Sequence, residues 1–197
     1  MELNFTTFAY LFLRLAPFIL VCFFTMGSIF NQDFKGFVYL IGLLFACFCS
    51  LMLGRSPMIV SRNAPDICKT ITIGGVEMSA LPIGQTVFGY TLAYLLYVMI
   101  INNLVLSNIP VLVFLSLLIL FDAAWNITKE CYTFYMILAG FIVGGGIGVL
   151  WSYIIDNTNT PNLQYYTGIS NKEVCSRPAR STFKCNVYKG GKLISTL

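Results

Sequence analysis

The sequence predicts an all-α membrane protein: a polytopic helical bundle of about five transmembrane helices, ending in a small β-hairpin-like basic tail. Three observations lead there. Hydrophobic residues make up 57% of the 197 and charged ones only 10%, with a mean hydropathy of +0.79, far outside the range of soluble chains. Five apolar runs meet or approach the roughly 20 residues that a helix needs to cross a bilayer. The remaining charge gathers at the end, where six Lys or Arg stand against Glu173 between Lys172 and Lys192. The expected division is a bundle over residues 1–155 and an extramembrane basic tail over 156–197.

The first span is expected from Phe5 to Phe30, the second from Gly36 to Leu53, the third from Leu81 to Leu106, the fourth from Ile109 to Phe121 and the fifth from Tyr132 to Ile155. "MELNFTT" has no basic n-region, so the first run reads as a span and not as a cleavable signal peptide. The third run opens on Pro82-Ile83-Gly84-Gln85, and Pro in a first turn is pre-organised for a helix. The fourth run is short, and its "NNLVLSNIP" entrance predicts a tight hairpin with the third; a re-entrant segment is the alternative. Asp122 and Glu77 are expected to border outer loops and meet water. Glu77 could instead fold back over Arg55 and Arg62. Arg14, about ten residues into the first span and close to Pro17, is expected to snorkel to the headgroups, with pairing inside the bundle as the alternative.

Five spans put Arg55, Arg62, Lys69 and Lys129 on one side of the membrane and Lys35, Lys172, Arg177, Arg180, Lys184, Lys189 and Lys192 on the other. The excess of basic residues favours a cytoplasmic tail. Both sequons, Asn4-Phe5-Thr6 and Asn126-Ile127-Thr128, fall on the opposite side, where glycosylation is chemically available.

Gly140, Gly144 and Gly148 recur every fourth residue in the fifth span, with Gly145 and Gly146 beside them. In lipid, helices associate through close van der Waals approach, which small residues permit. The stripe is expected to pack within the subunit, with homo-oligomer contact as the alternative. Gly89 and Ala93 form a weaker version in the third span. Cys22, Cys47 and Cys49 sit in spans as small apolar residues. Cys68 and Cys131 share the outer side and could bridge in an oxidising compartment. Cys175 and Cys185 share the tail, where two short β-prone runs turn at Gly190-Gly191, and are expected as free thiols or as a staple of that hairpin. A chain with no histidine offers those two cysteines only half of a tetrahedral zinc shell; no metal and no cofactor is expected.

Two resemblances carry further expectations. Arg55 and Arg62, "PIGQ" at Pro82 to Gln85 and "MILAG" at Met136 to Gly140 resemble, in order and sidedness, the three motifs of the type 2 phosphatidic acid phosphatase family. The resemblance implies a phosphate-holding bundle with Arg55, Arg62 and Gln85 toward a lipid headgroup. The family's chemistry needs one histidine as nucleophile and another as acid. Here Gln85, Tyr132, Asn126 and Met136 occupy the motif positions and Asn63 follows Arg62, so the implied protein is catalytically inactive. The tail, "SNKEVCSRPARSTFKCNVYKGGKL" from Ser170 to Leu193, with the helix "TVFGYTLAYLL", resembles an uncharacterised membrane-protein family of large DNA viruses that infect algae and other protists. That resemblance implies a viral or host internal membrane and no activity.

The function expected is non-enzymatic. Lys172, Arg177, Arg180, Lys184, Lys189 and Lys192 would dock the tail on anionic lipid, or on a viral or host protein, at roughly 1 kcal/mol per basic residue near the surface. No specific nucleic-acid partner is expected. A transporter or channel is disfavoured by the lack of paired intramembrane charges; the inactive lipid-phosphatase-like bundle is the alternative.

Overall fold

In hydrocarbon every backbone N–H and C=O must find its partner within the chain, so an apolar run of spanning length closes into a helix. The computed structural model describes residues 5–55, 68, 81–158, 163–164, 186–189 and 192–196. Among these, five helices are long and apolar enough to cross a bilayer. They are α1 (Phe5–Phe30), α2 (Lys35–Gly54), α3 (Ile83–Ile101), α4 (Ile109–Thr128) and α5 (Phe134–Asn157), with a single 3-10 turn, Leu106–Asn108, leading into α4.

The fourth span is a full 20-residue helix, longer than the sequence suggested. It continues through Asp122 to Thr128 because Asp122 faces the bundle and not the water. A carboxylate thus stops being a boundary when a partner helix receives it. The third span ends at Ile101, short of Leu106, because the chain turns over at Asn102 and Asn103.

Three of the interhelical turns are closed by the same device. Asp33 donates its N–H to the Ser28 carbonyl and Gln32 to Ile29; Leu104 donates to Met99 and Asn103 to Ile100; Cys131 donates to Asn126 and Glu130 to Ile127. Each pair is the 6→1 and 5→2 pattern that satisfies the last carbonyls of a helix while reversing the chain. The residue at the left-handed position is Gln32 (φ 54°), Asn103 (φ 55°) or Glu130 (φ 55°), none of them glycine. At the first turn Ser28 Oγ adds a bond to Asp33 Oδ1 (2.7 Å) and accepts the Gly36 N–H (3.0 Å). That seals α1 to α2.

The bundle's centre is the contact of α3 with α5, which run in the same direction. A Cβ on Gly144 would run into the Thr86 carbonyl; on Gly148 it would lie 2.5 Å from the Tyr90 carbonyl oxygen, and on Gly140 3.3 Å from that of Pro82. From the other side, a Cβ on Gly89 would strike the Phe141 carbonyl. Positions 82, 86 and 90 therefore match 140, 144 and 148 turn for turn, backbone on backbone. The glycine stripe is consumed within the chain.

Helix α2 packs across this pair through polar side chains. Gly42 leaves room for the Tyr90 hydroxyl and the Trp151 ring. The Tyr90 hydroxyl donates to the Tyr39 carbonyl (3.0 Å), Trp151 Nε1 donates to the Val38 carbonyl (3.0 Å), and hydroxyl pairs join Tyr39 with Thr91 (2.6 Å) and Ser50 with Thr86 (2.9 Å). Tyr39, Tyr90 and Tyr94 are fully buried, with ring centroids of 5.4 to 5.9 Å. Each tyrosine thus brings a large apolar ring inside, and the hydroxyls of Tyr39 and Tyr90 are matched.

The chain divides into two units, Met1–Thr167 and Gly168–Leu197. In the second, strands β1 (Asn186–Lys189) and β2 (Lys192–Thr196) pair antiparallel, with Val187 opposite Ser195, Tyr188 opposite Leu193 and a register shift between Val187 and Tyr188. The expected turn at 190–191 lies outside the described residues.

Two outcomes follow from these contacts. Gly144→Leu should abolish most of the folded yield in detergent, whereas Val149→Leu, on a lipid-exposed position, should leave it near wild type; gel-filtration recovery of the two variants reads the difference. Glu130→Gly removes a left-handed non-glycine residue at no contact cost and should raise thermal stability by about 0.5–1 kcal/mol.

Candidate functional site

Helices α3 and α4 are antiparallel neighbours, so the start of one and the end of the other lie at one membrane face. Gln85 occupies the first turn of α3 and Asp122 lies nearly two turns before the end of α4. There Gln85 Nε2 donates to Asp122 Oδ2 at 2.7 Å and approaches the Ile119 carbonyl at 3.4 Å. Gln85 is 1% exposed and Asp122 6%. The amide's orientation is fixed by its donor, which leaves Gln85 Oε1 buried with no hydrogen-bond partner. One turn along α4, Asn126 donates to the Asp122 carbonyl at 2.8 Å.

Helix α1 brings the third component. Arg14, half-buried, makes no ion pair with Asp122, so only its charge at longer range bears on the carboxyl group. Pro17, one turn further, approaches α3 so closely that a Cβ on Gly84 would sit 3.4 Å from Pro17 Cγ and 4.0 Å from Asp122 Oδ2. Absence of a side chain at Gly84 lets α1 reach the Gln85–Asp122 pair.

These placements revise several expectations. Asp122 does not meet water at a loop edge; it is turned inward by the amide of Gln85. Arg14 is half-buried in α1, neither fully exposed nor joined to a described carboxylate by an ion pair. Arg14 and Asp122 both lie in helices of membrane-spanning length, with no ion pair between them. Asn126 is 4% exposed and bonded to its own helix, so in the folded state its sequon is closed to glycosylation. Asn4 and Glu77 lie outside the described residues.

The residues singled out for a phosphate are not assembled here as a headgroup site. Arg55 is exposed at the C-cap of α2, Arg62 lies outside the described residues, and both hydrogen bonds of Gln85 go to α4. A phosphate approaching Gln85 would meet the Asp122 carboxylate. Tyr132 stands in the α4–α5 turn, and Met136 lies in the first turn of α5, where its N–H donates to the Thr133 carbonyl. Among the described residues no three or more His, Cys, Asp or Glu side chains gather where a metal could be held.

Cys68 and Cys131 are joined by a disulfide, with Cα atoms 5.7 Å apart. Beside it, Lys129 Nζ lies 5.2 Å from the Trp125 ring centroid, at the same end of α4. A cation over an indole at a helix end suits the headgroup level. In the tail, Lys189 and Lys192 are register partners; Lys172, Cys175, Arg177, Arg180, Lys184 and Cys185 lie outside the described residues.

No family model matches the chain, and neither does any curated protein or solved structure.

Loss of the buried amide tests the cluster. Gln85→Leu leaves the Asp122 carboxylate short of its donor and should cost about 1–3 kcal/mol, while Ile83→Leu, on the lipid side, should cost under about 0.5 kcal/mol. Thermal unfolding of both variants in one detergent gives the comparison, and equal midpoints would refute the burial argument.

Proposed function

We propose that this multi-pass protein is non-enzymatic, of the kind that large DNA viruses of algae and protists place in a host internal or viral membrane, and that its bundle holds the basic C-terminal unit against an anionic lipid surface. The observation that carries the reading is the Cys68–Cys131 disulfide. Disulfides persist on oxidising sides of membranes. Odd numbers of spans separate the two ends of a bundle, so a disulfide on the side where α4 ends supports a tail on the reducing side, cytoplasm or virion interior. Anionic lipid is concentrated on the cytoplasmic leaflet, where it attracts clustered Lys and Arg. The excess of basic residues in the tail leans the same way.

The test uses the full chain in zwitterionic nanodiscs mixed with anionic vesicles. Co-sedimentation should fall steeply with salt as the Debye length contracts to about 8 Å at physiological ionic strength. Replacing Lys184, Lys189 and Lys192 by Gln should weaken binding about 100-fold, three residues at roughly 1 kcal/mol each. Salt-independent binding, or none, would remove the lipid reading and leave an acidic protein partner. In sealed vesicles of native orientation, an impermeant maleimide should leave Cys175 and Cys185 unlabelled; labelling from the oxidising side would reverse the topology.

A further inference from the structure

We propose that Gln85 and Asp122 form an intramembrane site for a small monovalent cation, a proton or a sodium ion, with Arg14 as the resident positive charge that competes for it. The argument is a count of donors and acceptors. Gln85 spends its N–H on Asp122 and faces Oε1, buried, toward no donor. An acceptor stranded in this way costs about 1–3 kcal/mol, and more where water is absent. The Asp122 carboxyl group, when ionised, adds a full negative charge within the span. In the adjoining turn of α1, Pro17 has no N–H to give the Leu13 carbonyl, and carbonyls released from interrupted membrane helices are common ligands of sodium ions and protons.

Gln85 from α3 donates to the Asp122 carboxylate, while Asn126 of α4 donates to the Asp122 main-chain carbonyl. Arg14 acts there by charge alone, without a hydrogen bond to a described residue. A buried acceptor left unpaired beside a carboxyl group has the chemistry of a cation site. Its charge balance sets the competition: one carboxylate neutralises one cation, so a bound ion and the guanidinium cannot both be neutralised in a medium of low dielectric. An intramembrane acid with a named partner is also where ion and proton sites of membrane proteins are found.

The competition separates this site from a purely structural ion pair. Full-length protein is unfolded thermally in sodium chloride and in choline chloride of equal ionic strength, at fixed alkaline pH, and then across pH in choline alone. Binding to the folded state raises the midpoint with cation concentration. A dependence on sodium at fixed pH identifies sodium; a dependence on pH that sodium does not alter identifies the proton. Arg14→Gln should strengthen the response, raising apparent cation affinity about tenfold or more, and Asp122→Asn should abolish it. If Asp122→Asn does not fold, Arg14→Gln alone decides. Cation-independent midpoints in both wild type and Arg14→Gln, or a drop on Arg14→Gln that is equal in every salt, would overturn the proposal.

Discussion

The structure depends on how closely the backbones of α3 and α5 can approach. Lipid tails are as apolar as leucine, so burying a leucine between two membrane helices gains little over leaving it in lipid. What remains is dispersion, which needs contact at van der Waals distance. Gly144 under the Thr86 carbonyl and Gly148 under that of Tyr90 supply this contact. Once α3 and α5 are joined, α2 finds a fixed surface for Gly42, and α4 finds the first turn of α3 already in place for Asp122.

Polarity in this bundle runs inward. Tyr39, Tyr90, Thr86, Thr91, Ser50, Ser152 and Gln85 are all buried, while Phe18, Phe23, Leu120 and Ile142 face outward. Lipid reverses the soluble rule, because a hydroxyl at the surface would find no water to bond. The inward polar groups do more than hide: Tyr90 to Tyr39 and Trp151 to Val38 are bonds between helices far apart in sequence. Direction comes from these bonds, closeness from the glycines.

Much of this was legible in the sequence, for a local reason. Span positions follow from apolar length, and α1 runs over the residues its composition marks, Phe5–Phe30. The glycine stripe was legible because four-residue spacing places residues on one helix face. Gln85 with Asp122 was not. Seen along the chain, Asp122 closes an apolar run and resembles any residue at a loop edge; its partner sits on another helix. The usable signal was the antiparallel α3–α4 hairpin, which puts a polar residue near the start of one helix and an acid near the end of the next at one face. The left-handed positions at Gln32 and Glu130 were equally hidden, since no glycine marks them.

The bond between Cys68 and Cys131 closes residues 68–131 into a covalent ring. Helices α3 and α4, with Gln85 and Asp122, lie on the ring; α1, α2 and α5 hang from it. A protease cut in the short α3–α4 turn would therefore open the ring without releasing a fragment, and the two pieces would separate only under reduction. Extraction of that hairpin from the bilayer must likewise drag both exits together. Five helices of spanning length follow one another along the chain, but topologically its centre is a closed loop with two arms.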